Sequence, residues 1–406
     1  MKVLQINSTA NTGSHGRIAE ELGSSIIEKG WTSIIAYGRS GRDSKSRLIR
    51  IGSDTNIIAH GMISLLFDLH GFGSRNATKR FIRELESLEP DIVHLHNIHG
   101  YYLNVRILFE CLERLDIPVI WTLHDCWPIT GHCSYFDSVV CKRWQTGCYH
   151  CPNSKGYPKS LLYDNSERNY YIKKRLFTKP RRMIIVTPSE WLAGHVRCSY
   201  LGGYMVKVIY NGINISRFTP DYNDISIRKK YGIGSEPYIL GVASIWDKRK
   251  GLEDFVLLRR ILDPLISIAL VGLNEKQMRS LPEGIKGISR TESIEELAVL
   301  YSNAEMLINP TWVDNFPTTN IEALACGTPI VTYDTGGSPE ALTMETGIVV
   351  KKGEIAALHD AVKIIMSGDR KVYRYKCRRR AECMFKSTDR YREYLDLYTE
   401  LLSGNK

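Results

Sequence analysis

Short β-branched runs recur along the chain, separated by stretches of helical periodicity. "KVLQI" (2–6), "TSIIAY" (32–37), "DIVHLH" (91–96), "PVIWTL" (118–123) and "RMIIVT" (182–187) read as strands of a parallel sheet covered on both faces. Ile18, Leu22 and Ile26, spaced by four, predict the first connecting helix. The rhythm restarts after "KVIYNGINISRFTP" (207–220), where Asn-Gly and a closing Pro punctuate the chain. A second series follows: "YILGVA" (238–243), "SIALVG" (267–272), "EMLINP" (305–310), "TPIVTY" (328–333) and "GIVV" (347–350). The pattern predicts an α/β protein of two doubly wound, Rossmann-like domains, 1–205 and 206–385. The tail "STDRYREYLDLYTELL" (387–402) predicts a helix with Tyr391, Leu395, Tyr398 and Leu402 on one stripe. That helix, within 386–406, is expected to pack on the first domain and to have no catalytic role.

Length agrees with this division, because 406 residues exceed the size at which one core stops growing, and two domains of roughly 200 residues follow. A hydrophobic fraction of 43% with 24% charged residues is that of an ordinary globular protein. No apolar run approaches the ~18 residues that span a bilayer, and "MKVLQINSTANTG" lacks the apolar core of a signal peptide, so a cytoplasmic location is expected. The net charge of +10 is concentrated in clusters such as 172–182 and 370–386. It suits nucleotide phosphates, an anionic membrane face or nucleic acid, and equally a set of solvated helix faces.

Open sheets of this kind bind ligands beyond the carboxyl ends of their strands. After the first strand, "NSTANTGSHGRIAEEL" carries Gly13 and Gly16 into the first helix, where backbone N–H groups can approach a phosphate or a sugar hydroxyl. It is neither a Walker sequence nor a full G-x-G-x-x-G. Two histidine clusters stand at later strand ends: His94, His96 and His99 in "HLHNIHG", and His124 with Asp125 in "WTLHDCWP". His94 reads as a structural residue, whereas His124 and Asp125 can bond sugar hydroxyls or assist proton movement.

An insertion over 126–160 holds Cys133, Cys141, Cys148 and Cys151 in the spacing C-x7-C-x6-C-x2-C. A cytoplasmic chain seldom keeps disulfides, so these thiols suggest a closed, structural zinc site, with four reduced cysteines as the alternative.

In the second domain, Lys248, Arg249 and Lys250 stand between a strand and a helix, where cations can clamp a diphosphate leaving group. Further on, "VDNFPTTNIEALACGTPIV" (313–331) predicts a loop, a helix from about 320 ending at Gly327, and the next strand. Thr319 and Glu322 match the S/T-x-x-E capping box. Capping leaves Asp314 unexplained. Two carboxylates flanking a helix N-terminus suit ribose and hexose hydroxyls, with backbone donors near Thr318 and Thr319 for phosphate oxygens.

Taken together, the glycine loop, "PDIVHLHNIHG", "WTLHD", "VIYNGINISRF", "KRKG", "DNFPTTNIEALACGTP" and "GGSPEAL" resemble the family 4 glycosyltransferases through most of the chain. The Cys-rich insertion is similar to that of a subgroup that builds bacterial surface polysaccharides such as colanic acid, O-antigen or capsule. The resemblance implies the GT-B fold, two domains facing across a cleft, and transfer with retention of anomeric configuration. It implies that Glu322 binds the donor ribose and Asp314 contacts the transferred sugar. Lys250, with Arg249, would bind the diphosphate, Gly13 and Gly16 would shape the donor-acceptor cleft, and His124 would face the sugar. Asp314 stands where the family usually has Glu, one methylene longer. Ile245 stands where it usually has Arg, which leaves phosphate binding to Lys248 or Arg249.

The expected function is transfer of a hexose-type unit from a nucleotide diphosphate sugar to a glycan or lipid-linked acceptor in bacterial surface polysaccharide biosynthesis. The departing diphosphate would draw the acceptor proton, no cofactor would serve catalysis, and basic and aromatic residues of the first domain would meet the inner membrane face. A nucleotide-sugar epimerase or hydrolase of the same fold is the alternative enzyme, and a zinc-containing nucleic-acid-binding protein is the alternative from another class. Nucleic acid is not an expected partner, since 133–151 holds only Lys142 and Arg143 as basic residues, opposed by Asp137.

Overall fold

The computed structural model describes residues 1–220 and 224–403. The chain forms two compact units, one comprising Met1–Ile209 and the stretch from Tyr391 onward, the other Tyr210–Arg390. The boundaries thus fall at 209/210 and 390/391, four and five residues beyond those read from the sequence.

The first unit is a seven-stranded parallel sheet: β1 (Lys2–Asn7), β2 (Thr32–Tyr37), β3 (Arg47–Arg50), β4 (Ile92–Leu95), β5 (Val119–Thr122), β6 (Met183–Thr187) and β7 (Met205–Val208). Its order is β3-β2-β1-β4-β5-β6-β7. The second is a six-stranded parallel sheet: β8 (Tyr238–Val242), β9 (Ser267–Val271), β10 (Ile285–Ile288), β11 (Met306–Asn309), β12 (Ile330–Tyr333) and β13 (Gly347–Val350), in the order β10-β9-β8-β11-β12-β13. Both sheets reverse direction once, between β1 and β4 and between β8 and β11. These are the topological switch points where a crevice opens at the strand ends.

The helix Gly13–Glu28 buries Ile18, Leu22 and Ile26, the spacing read in the sequence. The helix Ser387–Ser403 buries Tyr391, Tyr394, Leu397 and Tyr398. These side chains share one core cluster with Val3, Ile18, Leu22, Ile92 and Ile120 of the first unit. Each large side chain removed from water this way stabilises by about 1.5–3 kcal/mol, which is why the tail belongs to the first unit despite its distance in sequence.

One helix of the first unit departs from the usual amphipathic arrangement. Asp54–Phe67 has no Lys, Arg, Asp or Glu after Asp54. Its buried residues are His60 and Ser64, whereas Ile58, Met62, Ile63 and Phe67 are exposed. His60 is drawn inward because its Nε2 accepts from Gly71 and Gly73 N–H, at 3.2 and 3.1 Å. Among the described residues no helix is long and apolar enough to cross a membrane.

Candidate active site

The candidate side chains collect at both switch points. In the first unit, the parallel register pairs Gln5 of β1 with His94 of β4, and Leu95 with Trp121 of β5. His96, Asn97 and His124 therefore emerge from the carboxyl ends of adjacent strands. Gly13 takes a left-handed φ of +67°, and a Cβ on Gly16 would meet the Thr9 hydroxyl at 2.7 Å, so the loop after β1 needs both glycines to turn into its helix. That turn brings His15 to His124, ring centroids 5.9 Å apart.

The imidazoles form a chain. His94 stacks on His96 at 4.1 Å, and His96 Nδ1 lies 3.2 Å from His124 Nε2. Behind them, His94 Nδ1 bonds the Tyr398 hydroxyl at 2.6 Å and His94 Nε2 bonds Thr122 Oγ1 at 2.8 Å. Tyr394 reaches the same threonine at 3.1 Å. His94 is structural, and the C-terminal helix supports it. Burial lowers the pKa of His94 to about 3 and that of His15 to about 4. Burial and mutual repulsion hold His96 and His124 well below their ordinary value. These shifts favour the neutral imidazoles, each with one N–H donor and one acceptor nitrogen suited to hydroxyl groups.

Beside it, His99 Nε2 donates to Asp125 Oδ2 at 2.8 Å. Burial pushes the Asp125 carboxyl up, but the charge and hydrogen bond of His99 outweigh this and hold it below its ordinary range.

In the second unit the cations are part of a loop assembly. Asp247 caps the turn Lys248–Lys250, accepting from Lys250 N–H at 3.1 Å. The loop after β11 is tied to that turn by Trp312 N–H to Arg249 O at 2.7 Å and by Arg249 Nη1 to Val313 O at 3.2 Å. These bonds bring Lys250 Nζ into an ion pair with Asp314 Oδ2. Asp314 Oδ1 accepts from Asn315 N–H at 2.9 Å, and a Cβ on Gly336 would overlap the Asp314 carbonyl. Lys248 is exposed, and so is Ile245, 72% open to solvent.

The capping box is not formed. The helix runs Thr318–Ala325 with Pro317 at its cap and no side-chain cap hydrogen bond. Thr319 is therefore the second helical residue, and Glu322 sits a full turn inside, beyond reach of the capping position. Glu322 is buried and accepts from the Tyr301 hydroxyl at 2.8 Å. Thr318 and Thr319 occupy the first turn, whose backbone donors no side chain caps.

Cys133, Cys141, Cys148 and Cys151 line one small cavity with Phe136 and Trp144. All four are free thiols. The hydrogen bond from Cys133 pulls Cys151 down to about 7, and Cys148 Sγ accepts from Gly131 N–H at 3.1 Å. Among the described residues no group of three or more His, Cys, Asp or Glu side chains is placed to hold a metal ion. Cys133 and Cys151 are hydrogen-bonded to each other, and Cys141 and Cys148 line the same cavity.

Gln5, Asn7 and His15 were not singled out in the sequence. The signal for the first two was present: two amides two residues apart in "KVLQIN", hence on one face of an otherwise apolar strand.

The architecture is shared with solved glycosyltransferases. The chain is similar to sucrose-phosphate synthase from Thermosynechococcus elongatus, with a TM-score of 0.75 at 18% identity over 99% of each chain. It is similar to Anabaena Alr3699/HepE, solved in complex with UDP and glucose, with a TM-score of 0.69 at 14% identity over 98% of this chain and 99% of that one. The fold is GT-B. Residues 15–217 match the family described as Glycosyltransferase Family 4, and residues 236–367 match Glycosyl transferases group 1. The chain belongs to the family 4 (group 1) glycosyltransferases, which are retaining enzymes. Among curated relatives it is 26% identical to the colanic acid biosynthesis glycosyl transferase WcaC of Escherichia coli, over 88% of this chain and 89% of that protein. It is 23% identical to the O-antigen chain mannosyltransferase RfbU of Salmonella typhimurium, over 61% of this chain and 64% of that protein.

Proposed function

We propose that this glycosyltransferase moves a hexose-type sugar from a nucleotide diphosphate donor to a glycan acceptor carried on a lipid, in the assembly of a bacterial surface polysaccharide. The observation that carries the donor assignment is the Lys250–Asp314 pair at the β8/β11 switch point, a cation beside a carboxylate. The ammonium is suited to the diphosphate, and the carboxylate to the hydroxyls of the sugar it leaves. Arg249 and the first turn at Thr318 and Thr319 add donors for phosphate oxygens, and Glu322 is the candidate for the ribose. The neutral histidines of the first unit, His124 foremost, suit sugar hydroxyls. The relatives named for colanic acid biosynthesis and O-antigen chain synthesis support the polysaccharide context.

In this reading the acceptor oxygen attacks C1 on the side from which the diphosphate departs. The C1–O bond to the diphosphate breaks, and the acceptor proton passes to the departing phosphate oxygen. Lys250 offsets the charge gathering there.

A lipid-borne acceptor also accounts for the outward apolar face of the helix Asp54–Phe67. Leu161, Leu162 and Tyr163 are exposed on the segment joined to that helix by Leu161 N–H to Leu65 O at 2.8 Å, and Tyr163 packs on Phe67 with centroids 5.5 Å apart. Exposed Lys155, Lys159 and Arg168 flank this segment, a combination suited to the interface of an anionic bilayer.

The test is incubation with labelled UDP-, GDP- and ADP-sugars, with and without membrane extract as acceptor. Label entering lipid-extractable glycan is expected only when acceptor is present. Turnover that needs no acceptor would favour the epimerase or hydrolase alternative.

A further inference from the structure

We infer that two amides on β1, Gln5 and Asn7, set the tautomers of His124 and His15 so that each ring offers an unprotonated nitrogen, an acceptor for the hydroxyl groups of a sugar bound at the strand ends of the first unit. The inference rests on the glycosyl-transfer reading above and specifies how the first unit recognises its ligand.

The first relay starts at Gln5, which is fully buried. Its Nε2 donates to Ala19 O at 2.9 Å, so its carbonyl Oε1 faces His96 Nε2, at 3.0 Å. A carbonyl can only accept, so His96 carries its proton on Nε2 and leaves Nδ1 bare. That bare nitrogen lies 3.2 Å from His124 Nε2, which must then be the protonated one. The remaining nitrogen of His124, Nδ1, is an acceptor. Flipping the Gln5 amide would set two carbonyl oxygens against each other at Ala19, so the network admits one orientation.

The second relay is independent of the first. Asn7 Oδ1 accepts from the N–H groups of Ser8 at 2.9 Å and Asn97 at 3.3 Å, while its Nδ2 donates to His15 O at 3.1 Å. His15 Nδ1, 3.0 Å from that oxygen, must donate to it. The nearby Thr9 hydroxyl is committed to Thr12 O at 2.8 Å. His15 Nε2 is therefore the second bare nitrogen.

Two rings with centroids 5.9 Å apart, each bearing one bare nitrogen, make a site with a chemical preference. It favours groups that carry hydrogen, above all hydroxyls. It disfavours acceptor-only groups, such as the carboxylate of a uronic acid or the oxygens of a diphosphate, because lone pairs would face lone pairs. Gln5, Asn7 and His96 are positioning residues in this scheme, acting through the two rings.

The experiment is in two parts. Imidazole ¹⁵N spectra of the unmodified protein are expected to show His124 unprotonated at Nδ1 and His15 unprotonated at Nε2. Gln5→Met removes the acceptor of His96 and is expected to let His124 populate the opposite tautomer. Its kcat/KM should fall about tenfold, the loss expected for one hydrogen bond. A donor lacking the bonded hydroxyl should cost the unmodified protein a similar factor and cost Gln5→Met little more. Gln5→Glu, whose neutral acid can donate to Ala19 O and accept from His96, should stay closer to the unmodified protein. If Gln5→Met does not fold, the spectra of the unmodified protein decide alone. An active protein with a protonated His124 Nδ1 overturns the tautomer assignment only, whereas absence of transfer from every nucleotide sugar overturns the reading beneath it.

Discussion

Lys250 and Asp314 lie 64 residues apart in sequence and form one ion pair, the first from the turn after β8 and the second from the loop after β11. Each side chain remains partly open, 20% and 14% exposed, so the pair can exchange its internal contact for a ligand. Removing Asp314 leaves a partly solvated ammonium rather than a buried charge. Asp314→Ala is therefore expected to lose transfer by roughly 10²–10³-fold in kcat/KM. Its melting temperature should stay within a few degrees of the unmodified protein. A folded variant with full activity would refute the assignment.

Ile245 stands exposed in the loop after β8, at the position where the family resemblance leads one to expect Arg. A surface substitution there should change stability by only ~0.5 kcal/mol. Ile245→Arg is expected to lower the donor KM severalfold at unchanged melting temperature, measured by titrating nucleotide sugar at saturating acceptor. A raised KM would mean that Arg249 already fills that role.

Tyr398 holds His94 from the far end of the chain. Tyr398→Phe keeps the ring and removes the hydroxyl from a fully buried imidazole. An unpartnered buried polar atom costs about 1–3 kcal/mol. A measurable drop in unfolding free energy by urea titration is expected. Because His94 stacks directly on His96, a smaller decrease in kcat should accompany it. Unchanged stability would show that another group takes the bond.

Acid should destabilise the first unit through its histidines. Burial lowers the pKa of His15 and His60 to about 4 and of His94 to about 3. His70, His96, His124 and His195 are shifted the same way, again chiefly by burial. Unfolded imidazoles bind protons below about pH 6.5, where the folded ones stay neutral, so stability falls as pH drops from about 6.5 towards 4. His132 opposes this. Burial lowers its pKa, but Asp68 more than reverses that and leaves it raised. The His132 contribution is complete below about pH 6.5 and fades as pH rises through the folded value. A melting temperature that falls steadily below pH 6.5 is expected, and Asp68→Asn should lose more stability at pH 6 than at pH 8.

The outward helix predicts membrane attachment. The protein is expected to co-sediment with anionic phospholipid vesicles at low salt. Met62→Glu with Leu162→Glu should reduce that binding about 10²-fold or more, since each apolar side chain withdrawn from the interface forfeits ~1.5–3 kcal/mol. Activity on a short, soluble acceptor should be spared. Equal sedimentation of both proteins would remove this face from consideration.

Of the thirteen strands among the described residues, ten were legible in the sequence as apolar runs, nine of them interior strands covered on both faces and the tenth, β13, an apolar edge strand. The three that were not, β3, β7 and β10, are all edge strands, where Arg47, Lys207 and Lys286 interrupt the apolar pattern because one side meets water. Local sequence also determined the residue types at the strand ends, including Lys250, Asp314 and His124. It could not decide which of them meet, since that depends on strand order, and strand order is set by pairings between residues far apart in the chain. Glu322 shows the limit: its spacing from Thr319 permitted a cap, but the helix began at Thr318 and Tyr301, on a neighbouring helix, took the carboxylate. The tautomers of His124 and His15 lie further still from the sequence. They follow from where Ala19, Gln5 and Asn7 place a few lone pairs, and only the folded sheet brings those atoms within hydrogen-bonding distance.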